Sequence, residues 1–416
     1  MNAPTLLLVQ LLVILLAARL CGLLLKRLGQ PPVIGEMAAG LLLGPIVFGA
    51  FAPDLHGVLF SKGSLAALSG LGTVGVALFM FVIGVELRAP QGARAQIRSA
   101  VCVGGIGVVF PLLLGLGAAT FLYAPYAPEG LAFWPFALFI AASMSVTAFP
   151  VLARILKDKN LTQSVPGRLA LSAAVFDDAC VWIFLALVLA FVRGASGSAW
   201  TTVIGAAVLV MLVFLLLKPI FARVVKAGLR DGALSNNAFA WMLVGLLGCA
   251  AFAEWIELHA VFGAFLFGLC LPRNDVLLSA LAKRIEPVAV ILMMPVVFAL
   301  AGQNTTPSVF AGAGLAALAL VLGVAILGKV LGCAVGARIS GHGWRESFAV
   351  GSLMNARGLM ELIVIKIGFD VGLIGPELFT MLFVMTLATT FMASPMVSYF
   401  HRPAKAADVP GAARIR

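Results

Sequence analysis

Residues 172–184 read SAAVFDDACVWIF, and set two adjacent carboxylates, Asp177 and Asp178, inside an apolar run long enough to span a membrane. A charge at the centre of a bilayer costs roughly 2.5 to 3.5 kcal/mol on insertion scales, so ionisable side chains there face a cavity and a partner rather than lipid. The stretch therefore predicts a bundle of helices that encloses a polar centre. The rest of the chain supplies that bundle: 62% of its 416 residues are hydrophobic and only 11% are charged, far from the balance of a water-soluble domain. Long apolar runs recur from residue 5 to residue 400, which predicts one integral membrane domain over residues 1–400 and a short polar tail over 401–416.

A helix needs about 20 apolar residues to cross the hydrocarbon core. Thirteen runs meet or approach that length: 5–25, 32–51, 65–87, 98–122, 134–156, 168–193, 200–221, 237–257, 258–273, 284–302, 308–336, 345–367 and 375–400. The eighth and ninth are nearly continuous. With the N-terminus outside, 22 of the 28 Lys and Arg residues fall in loops on the cytoplasmic side, including Arg88, Arg94, Arg154, Lys157, Arg223, Arg273 and the basic tail. That bias predicts an outside N-terminus, a cytoplasmic C-terminus and an odd number of spans. It also makes the net charge of +11 a topological signal, and excludes a nucleic-acid patch as its explanation.

Other chemistries find little support. The six cysteines lie within apolar runs without a CxxC pair, and read as small packing residues. The four histidines are scattered at span ends, with no HExxH pattern. No nucleophile–base pair, phosphate loop or cofactor motif is recognisable, so the reading is not an enzyme. The start MNAPTLLLVQ lacks a basic n-region, and the first apolar run is expected to be a retained helix.

Residues 33–44, VIGEMAAGLLLG, resemble residues 261–272, VFGAFLFGLCLP, sharing Val33/Val261, Gly35/Gly263, Gly40/Gly268, Leu41/Leu269 and Leu43/Leu271. These are the second and ninth spans, which cross in opposite directions. The match predicts two inverted six-helix repeats, about 5–193 and 237–400, joined by a linker helix at about 200–221. The fifth and twelfth spans then correspond, and both are interrupted: SMSVTAFPVLARIL (143–156) by Pro150, and GSLMNARGLMEL (351–362) by Asn355, Arg357, Gly358 and Glu361. Irregular backbone at membrane depth is tolerated where it lines a cavity, and paired broken helices in two inverted halves point to a transporter's ion site.

Adjacent positions on a helix point about 100° apart, so Asp177 and Asp178 have different surroundings. Ionising both at once in a poorly hydrated place is costly, and at least one is expected to exchange protons. Lys329 lies at comparable depth in the eleventh span and is the expected basic partner. Arg357 and Glu361, one turn apart, read either as an i,i+4 pair or as groups that gate or neutralise a broken helix end. Glu36, among the glycines of the second span, either tunes a pH response or caps the helix entry.

GEMAAGLLLGP, SVTAFPVLARIL, SAAVFDDACVW and LMNARGLMEL together resemble the second branch of the monovalent cation:proton antiporters, in order and through nearly the whole chain. That branch includes bacterial sodium/proton and potassium/proton antiporters, potassium efflux transporters and plant cation/proton exchangers. The resemblance implies an all-α fold with a dimerisation domain and a mobile core domain in which two discontinuous helices cross. It implies a homodimer in the bilayer of a bacterial plasma membrane, and no cofactor. It further implies that Asp178 binds the monovalent cation and the proton in alternation, that Asp177 pairs with Lys329, and that Thr147 and Asn355 lend oxygens near the ion. Two departures stand out. The family's common Asn-Thr-Arg-Gly run is here Asn355, Ala356, Arg357, Gly358, which loses a hydroxyl, and the sensing C-terminal domain of the potassium efflux members is absent from the sequence. The expected activity is exchange of Na⁺ or K⁺ for H⁺; a sodium-coupled organic-anion symporter, a cation channel and a membrane sensor are the alternatives.

Overall fold

Backbone amides and carbonyls find no water inside a bilayer, so apolar runs of this length must satisfy their hydrogen bonds internally, as helices. A computed structural model describes residues 2–86, 94–194, 199–230, 233–256, 258–272 and 274–400. The expected basic loop residues Arg88 and Arg273 and the tail 401–416 lie outside these. In chain order the first half contains α1 (Ala3–Arg27), α2 (Pro32–Leu43), two short helices α3 (Phe48–Phe51) and α4 (Pro53–Leu59), α5 (Lys62–Glu86), α6 (Arg94–Tyr126), α7 (Phe133–Ser145), α8 (Phe149–Asp158) and α9 (Val165–Gly194). Then come α10 (Ala199–Met211) and α11 (Lys218–Gly228), joined by a π-helical turn, and a two-residue antiparallel pairing of Leu229–Arg230 with Ala233–Leu234. The second half contains α12 (Asn236–Trp255), α13 (Ala260–Cys270), α14 (Asp275–Glu286), a second π turn (Pro287–Met293), α15 (Met294–Gln303), α16 (Ala313–Ile339), α17 (Trp344–Met354), α18 (Leu359–Asp370) and α19 (Pro376–Phe400).

Among the described residues, eleven segments are long and apolar enough to cross a membrane, and the bent pair α17 and α18 makes a twelfth. This differs from the thirteen expected spans at 258–273, where α13 has only 11 residues. The reason is burial. Ala260 to Phe265, Phe267, Gly268 and Cys270 all pack inside protein, so α13 has no lipid-facing length to match.

The helices pack in two groups, one of α1, α2, α5 and α12 to α15, the other of α6 to α9 and α16 to α19. The residues shared by 33–44 and 261–272 have equivalent neighbours. A Cβ on Gly35 would lie 2.5 Å from Gly22 of α1, and one on Gly263 would lie 2.0 Å from Cys249 of α12. Likewise a Cβ on Gly40 would lie 2.3 Å from the Phe298 carbonyl of α15, and one on Gly268 would lie 2.4 Å from the Phe81 carbonyl of α5. Without side chains these helices approach backbone to backbone, which is how membrane helices gain packing energy when lipid tails are as apolar as leucine.

The second group is built around two broken helices. The chain leaves helical geometry at Val146 and Ala148, and again at Gly358. Pro150 sits in the first turn of α8, where a backbone N–H would have no intrahelical partner, so it starts the second half of the broken helix rather than kinking a continuous one. The α17–α18 pair bends by 49° at its break. The two breaks touch: the Ala148 N–H donates to the Ala356 carbonyl (3.0 Å), and the Thr147 hydroxyl donates to the Met354 carbonyl (3.2 Å). Close approach needs a small residue at the crossing, and a Cβ on Gly358 would lie 2.7 Å from Val151. Between the groups, Pro395 of α19 leaves the carbonyl four residues earlier without its helical donor. That carbonyl, on Phe391, accepts from Gln30 Nε2 in the α1–α2 loop (3.2 Å).

Candidate ion-binding site

The broken helices bring four helix ends to the bundle interior. Helix C-termini carry partial negative charge from unpaired carbonyls, and N-termini partial positive charge. The C-terminal end of α7 meets two cations. Lys329 Nζ donates to the Ser145 carbonyl (2.5 Å), to the Gly107 carbonyl of α6 (3.0 Å) and to Asp177 Oδ1 (2.8 Å). The Arg357 guanidinium donates to the Ser143 carbonyl (2.6 Å), the Met144 carbonyl (2.5 Å) and Glu361 Oε2 (2.8 Å). Three successive orphan carbonyls of α7 are thus capped by side chains from α16 and from the other break. Asp177, Lys329, Arg357 and Glu361 are all fully buried.

From sequence, Arg357 read either as half of an i,i+4 pair or as a group that gates or neutralises a broken helix end. Its guanidinium contacts Glu361 and the end of α7 at once. Lys329 does not extend to the surface; all of its ammonium donors are engaged at depth. With Glu361 in the first turn of α18, its charge lies favourably against that helix's positive end.

Asp178 is 3% exposed, and the 100° step along α9 gives it surroundings different from those of Asp177. Its Oδ2 has no hydrogen-bond partner, and neither does Asp177 Oδ2 or Asn355 Oδ1. Buried acceptors without partners are rare in folded proteins and call for an explanation. Here two of them belong to α9 and one to the α17–α18 break. Thr147 belongs to the same layer, since its hydroxyl reaches Met354 beside Asn355 and its side chain neighbours Asp177.

A cavity of about 560 Å³ opens beside this layer. One wall is α8, with Arg154, Lys157 and Asp158; the other is α5, with Glu86, the end of α14, with Glu286, and the π turn that follows it. Its lining includes Phe149, Pro150 and Leu359, the first residues after the two breaks, so it runs from charged ends toward the crossing.

These features place a known family. The family model described as "Sodium/hydrogen exchanger, transmembrane" matches residues 13–401. The chain belongs to the sodium/hydrogen exchanger family. Among its relatives, the Na⁺/H⁺ antiporter NhaS4 of Synechocystis sp. is 37% identical over 399 residues, covering 95% of this chain and 97% of that protein. Cation/H⁺ antiporter 17 of Arabidopsis thaliana is 33% identical over 97% of this chain but only 49% of its own length, so the exchanger chain spans about half of that plant protein. The Na⁺/H⁺-K⁺ antiporter GerN of Bacillus cereus is 28% identical and covered over 95% of its length. In fold, the exchanger resembles the sodium proton antiporter MjNhaP1 of Methanocaldococcus jannaschii, with a TM-score of 0.66 and 17% identity over 95% of this chain and 97% of that one.

Within this exchanger fold, Asp177, Lys329, Thr147, Asn355, Arg357 and Glu361 come together, with Asp178 on the next position of α9. Glu36 does not join them. It is buried on α2 with Oε2 unpartnered, and its charged neighbours are Arg154 and Arg19. Two kinds of contributor were not singled out from sequence: the Gly107, Ser143, Met144 and Ser145 carbonyls, invisible because any residue carries one, and the hydroxyl-rich turn of α19. Thr389 accepts from Asn355 Nδ2 through its carbonyl (3.3 Å), and Thr390 Oγ1 contacts the Arg357 backbone. The run TLATT at residues 386–390, in an otherwise apolar helix, was the available signal.

Proposed function

We propose that this exchanger moves Na⁺ or K⁺ against H⁺ by alternating access, with cation and proton competing for Asp178. The observation that carries the reading is the buried carboxylate of Asp178, with an unpartnered oxygen, beside an Asp177 whose charge Lys329 already balances. One carboxylate is therefore held in a fixed salt bridge while its neighbour is left free to be emptied and refilled. Competition for a single site makes exchange obligatory without ATP or any covalent step, so the protein acts as a transporter and not as an enzyme. Asp177 Oδ2, Asn355 Oδ1 and the Thr147 hydroxyl complete the oxygen set, and the C-terminal end of α17 adds favourable potential for a cation. Arrival of the cation that loosens the Asp177–Lys329 pair would let a second group take part in proton exchange.

The surrounding assignments are part of the same proposal. The matched glycine contacts of α2 and α13 support two inverted repeats with α10 and α11 as the linker. The group containing the broken helices acts as the mobile core domain, and the group of α1, α2, α5 and α12 to α15 as the dimerisation domain of a homodimer. With the N-terminus outside and the C-terminus in the cytoplasm of a bacterial plasma membrane, the cavity beside Arg154 and Lys157 is the cytoplasmic water path to the site. Paired carboxylates at mid-membrane favour bare cation/proton chemistry over an organic-anion symporter, a channel or a sensor. The test is proton flux in proteoliposomes with each cation in turn. Asp178→Asn should abolish cation-driven proton movement while the purified protein keeps its size-exclusion profile, and substantial residual flux would overturn the assignment.

A further inference from the structure

Inside the α17–α18 break, the backbone groups find partners in three places. The Asn355 and Ala356 N–H groups bond back to Gly351 and Leu353 of α17, and the Ala356 carbonyl accepts from Ala148 of the other break. The Arg357 backbone is served by neither. Its partner is one side-chain hydroxyl: Thr390 Oγ1 accepts from the Arg357 N–H (3.0 Å) and lies 2.8 Å from the Arg357 carbonyl. The same hydroxyl lies 2.7 Å from the Thr386 carbonyl, so its single proton serves one of the two carbonyls at a time while its lone pair holds the Arg357 N–H throughout. Thr390 is fully buried and is not among the residues lining the cavity beside the site. One residue earlier on α19, the Thr389 carbonyl accepts from Asn355 Nδ2. Residues 389 and 390 thus hold two break positions, one through its side chain and one through its backbone.

We propose that Thr390 is a positioning residue for cation binding: by pinning the Arg357 backbone it fixes the conformation of residues 355–357 and so the direction of Asn355 Oδ1 and the reach of the Arg357 guanidinium onto α7. This rests on the ion-site reading above. Asn355 sits between a helix end and the pinned residue, so its carboxamide has one orientation while the pin holds. Releasing the pin leaves a buried N–H without a partner and lets the break relax, which weakens cation binding more than it slows the loaded carrier.

The experiment compares Thr390→Val, Thr390→Ala and Thr390→Ser with the parent protein in proteoliposomes, measuring cation-dependent proton flux as half-saturating cation concentration and maximal rate. Thr390→Val, close in shape but without the hydroxyl, should raise the half-saturating concentration about tenfold, as loss of one buried hydrogen-bond partner implies, with a smaller change in maximal rate. Thr390→Ser keeps the hydroxyl and should stay within about twofold of the parent. A purely structural role would lower the maximal rate through the active fraction and leave the half-saturating concentration unmoved, and that result would overturn the proposal. So would equal shifts in the valine and serine variants. If Thr390→Val does not assemble, the alanine and serine pair decides by radioactive sodium binding in detergent, and equal affinities overturn it. An active Asp178→Asn protein would instead overturn the ion-site reading itself, whereas an inactive Asp178→Asn beside a normal Thr390→Val would overturn only the role of Thr390.

Discussion

Arg357 offers the sharpest test of why a charge is buried at the crossing. Its guanidinium makes one bond to Glu361 and two to the last carbonyls of α7, all at 2.8 Å or less and with both side chains fully buried. Arg357→Met strands the Glu361 carboxylate and orphans both carbonyls. Breaking a buried ion pair by removing one partner costs about 3 to 5 kcal/mol. Each charge-assisted bond to a carbonyl adds about 1.5 to 3 kcal/mol, and the terms share one side chain and will not add fully. The single variant should therefore lose at least about 4 kcal/mol, in the diagnostic tail for point mutations. The double variant Arg357→Met, Glu361→Met removes the stranded carboxylate and keeps the volume. If the pair were the whole story, it would return to the stability of the parent or exceed it. If the guanidinium caps α7, a residual loss of roughly 2 to 4 kcal/mol remains, because the Ser143 and Met144 carbonyls still lack donors. Thermal unfolding of all four proteins in the same detergent closes the cycle. A double variant within about 0.5 kcal/mol of the parent would refute the capping argument.

Asp177→Asn should be tolerated better than Lys329→Met, by about 2 kcal/mol in thermal melts, because the lysine keeps two carbonyl acceptors whereas the aspartate would be left buried and unpaired. Gln30→Leu leaves the Phe391 carbonyl without a donor and should cost about 1 to 3 kcal/mol, and Pro395→Ala in that background should recover much of it by restoring the helical N–H, read by the same melts. Gly40→Ala would place a Cβ 2.3 Å from the Phe298 carbonyl and should sharply reduce the yield of folded protein. Gly248→Ala, with open space around it, should leave the yield unchanged.

The broken-helix positions were readable from sequence because each carries a local chemical mark. Pro150 cannot donate a helical bond, and an Asn, an Arg and a Gly within four residues have no reason to sit in an apolar span unless they face something polar. Lys329 as a basic partner for the aspartates followed from depth, since opposite charges stranded at the same level of a bilayer have few other ways to be neutralised; its pairing with Asp177 in particular came from the family resemblance. The count of full-length spans was less legible. Residues 258–273 are as apolar as any span, and hydropathy does not distinguish a helix against lipid from one enclosed by other helices. Nor did Glu36 declare its surroundings, because its neighbours Arg19 and Arg154 come from other helices whose rotation the apolar pattern leaves open.

The sequence by itself determined a polytopic helical membrane protein, its interruptions, and the small set of charges that must be enclosed. Those are properties of single segments: length, hydropathy, missing donors and the cost of a charge in hydrocarbon. Only the tertiary structure decided that α7 ends under two cations, one from α16 and one from the α17–α18 break, that Asp177 and not Asp178 takes the direct bond to Lys329, and that a threonine on the last helix bonds to the second break. Those facts depend on distances between residues as much as 222 positions apart, as between Lys329 and the Gly107 carbonyl, and on carbonyl groups that every residue type presents alike.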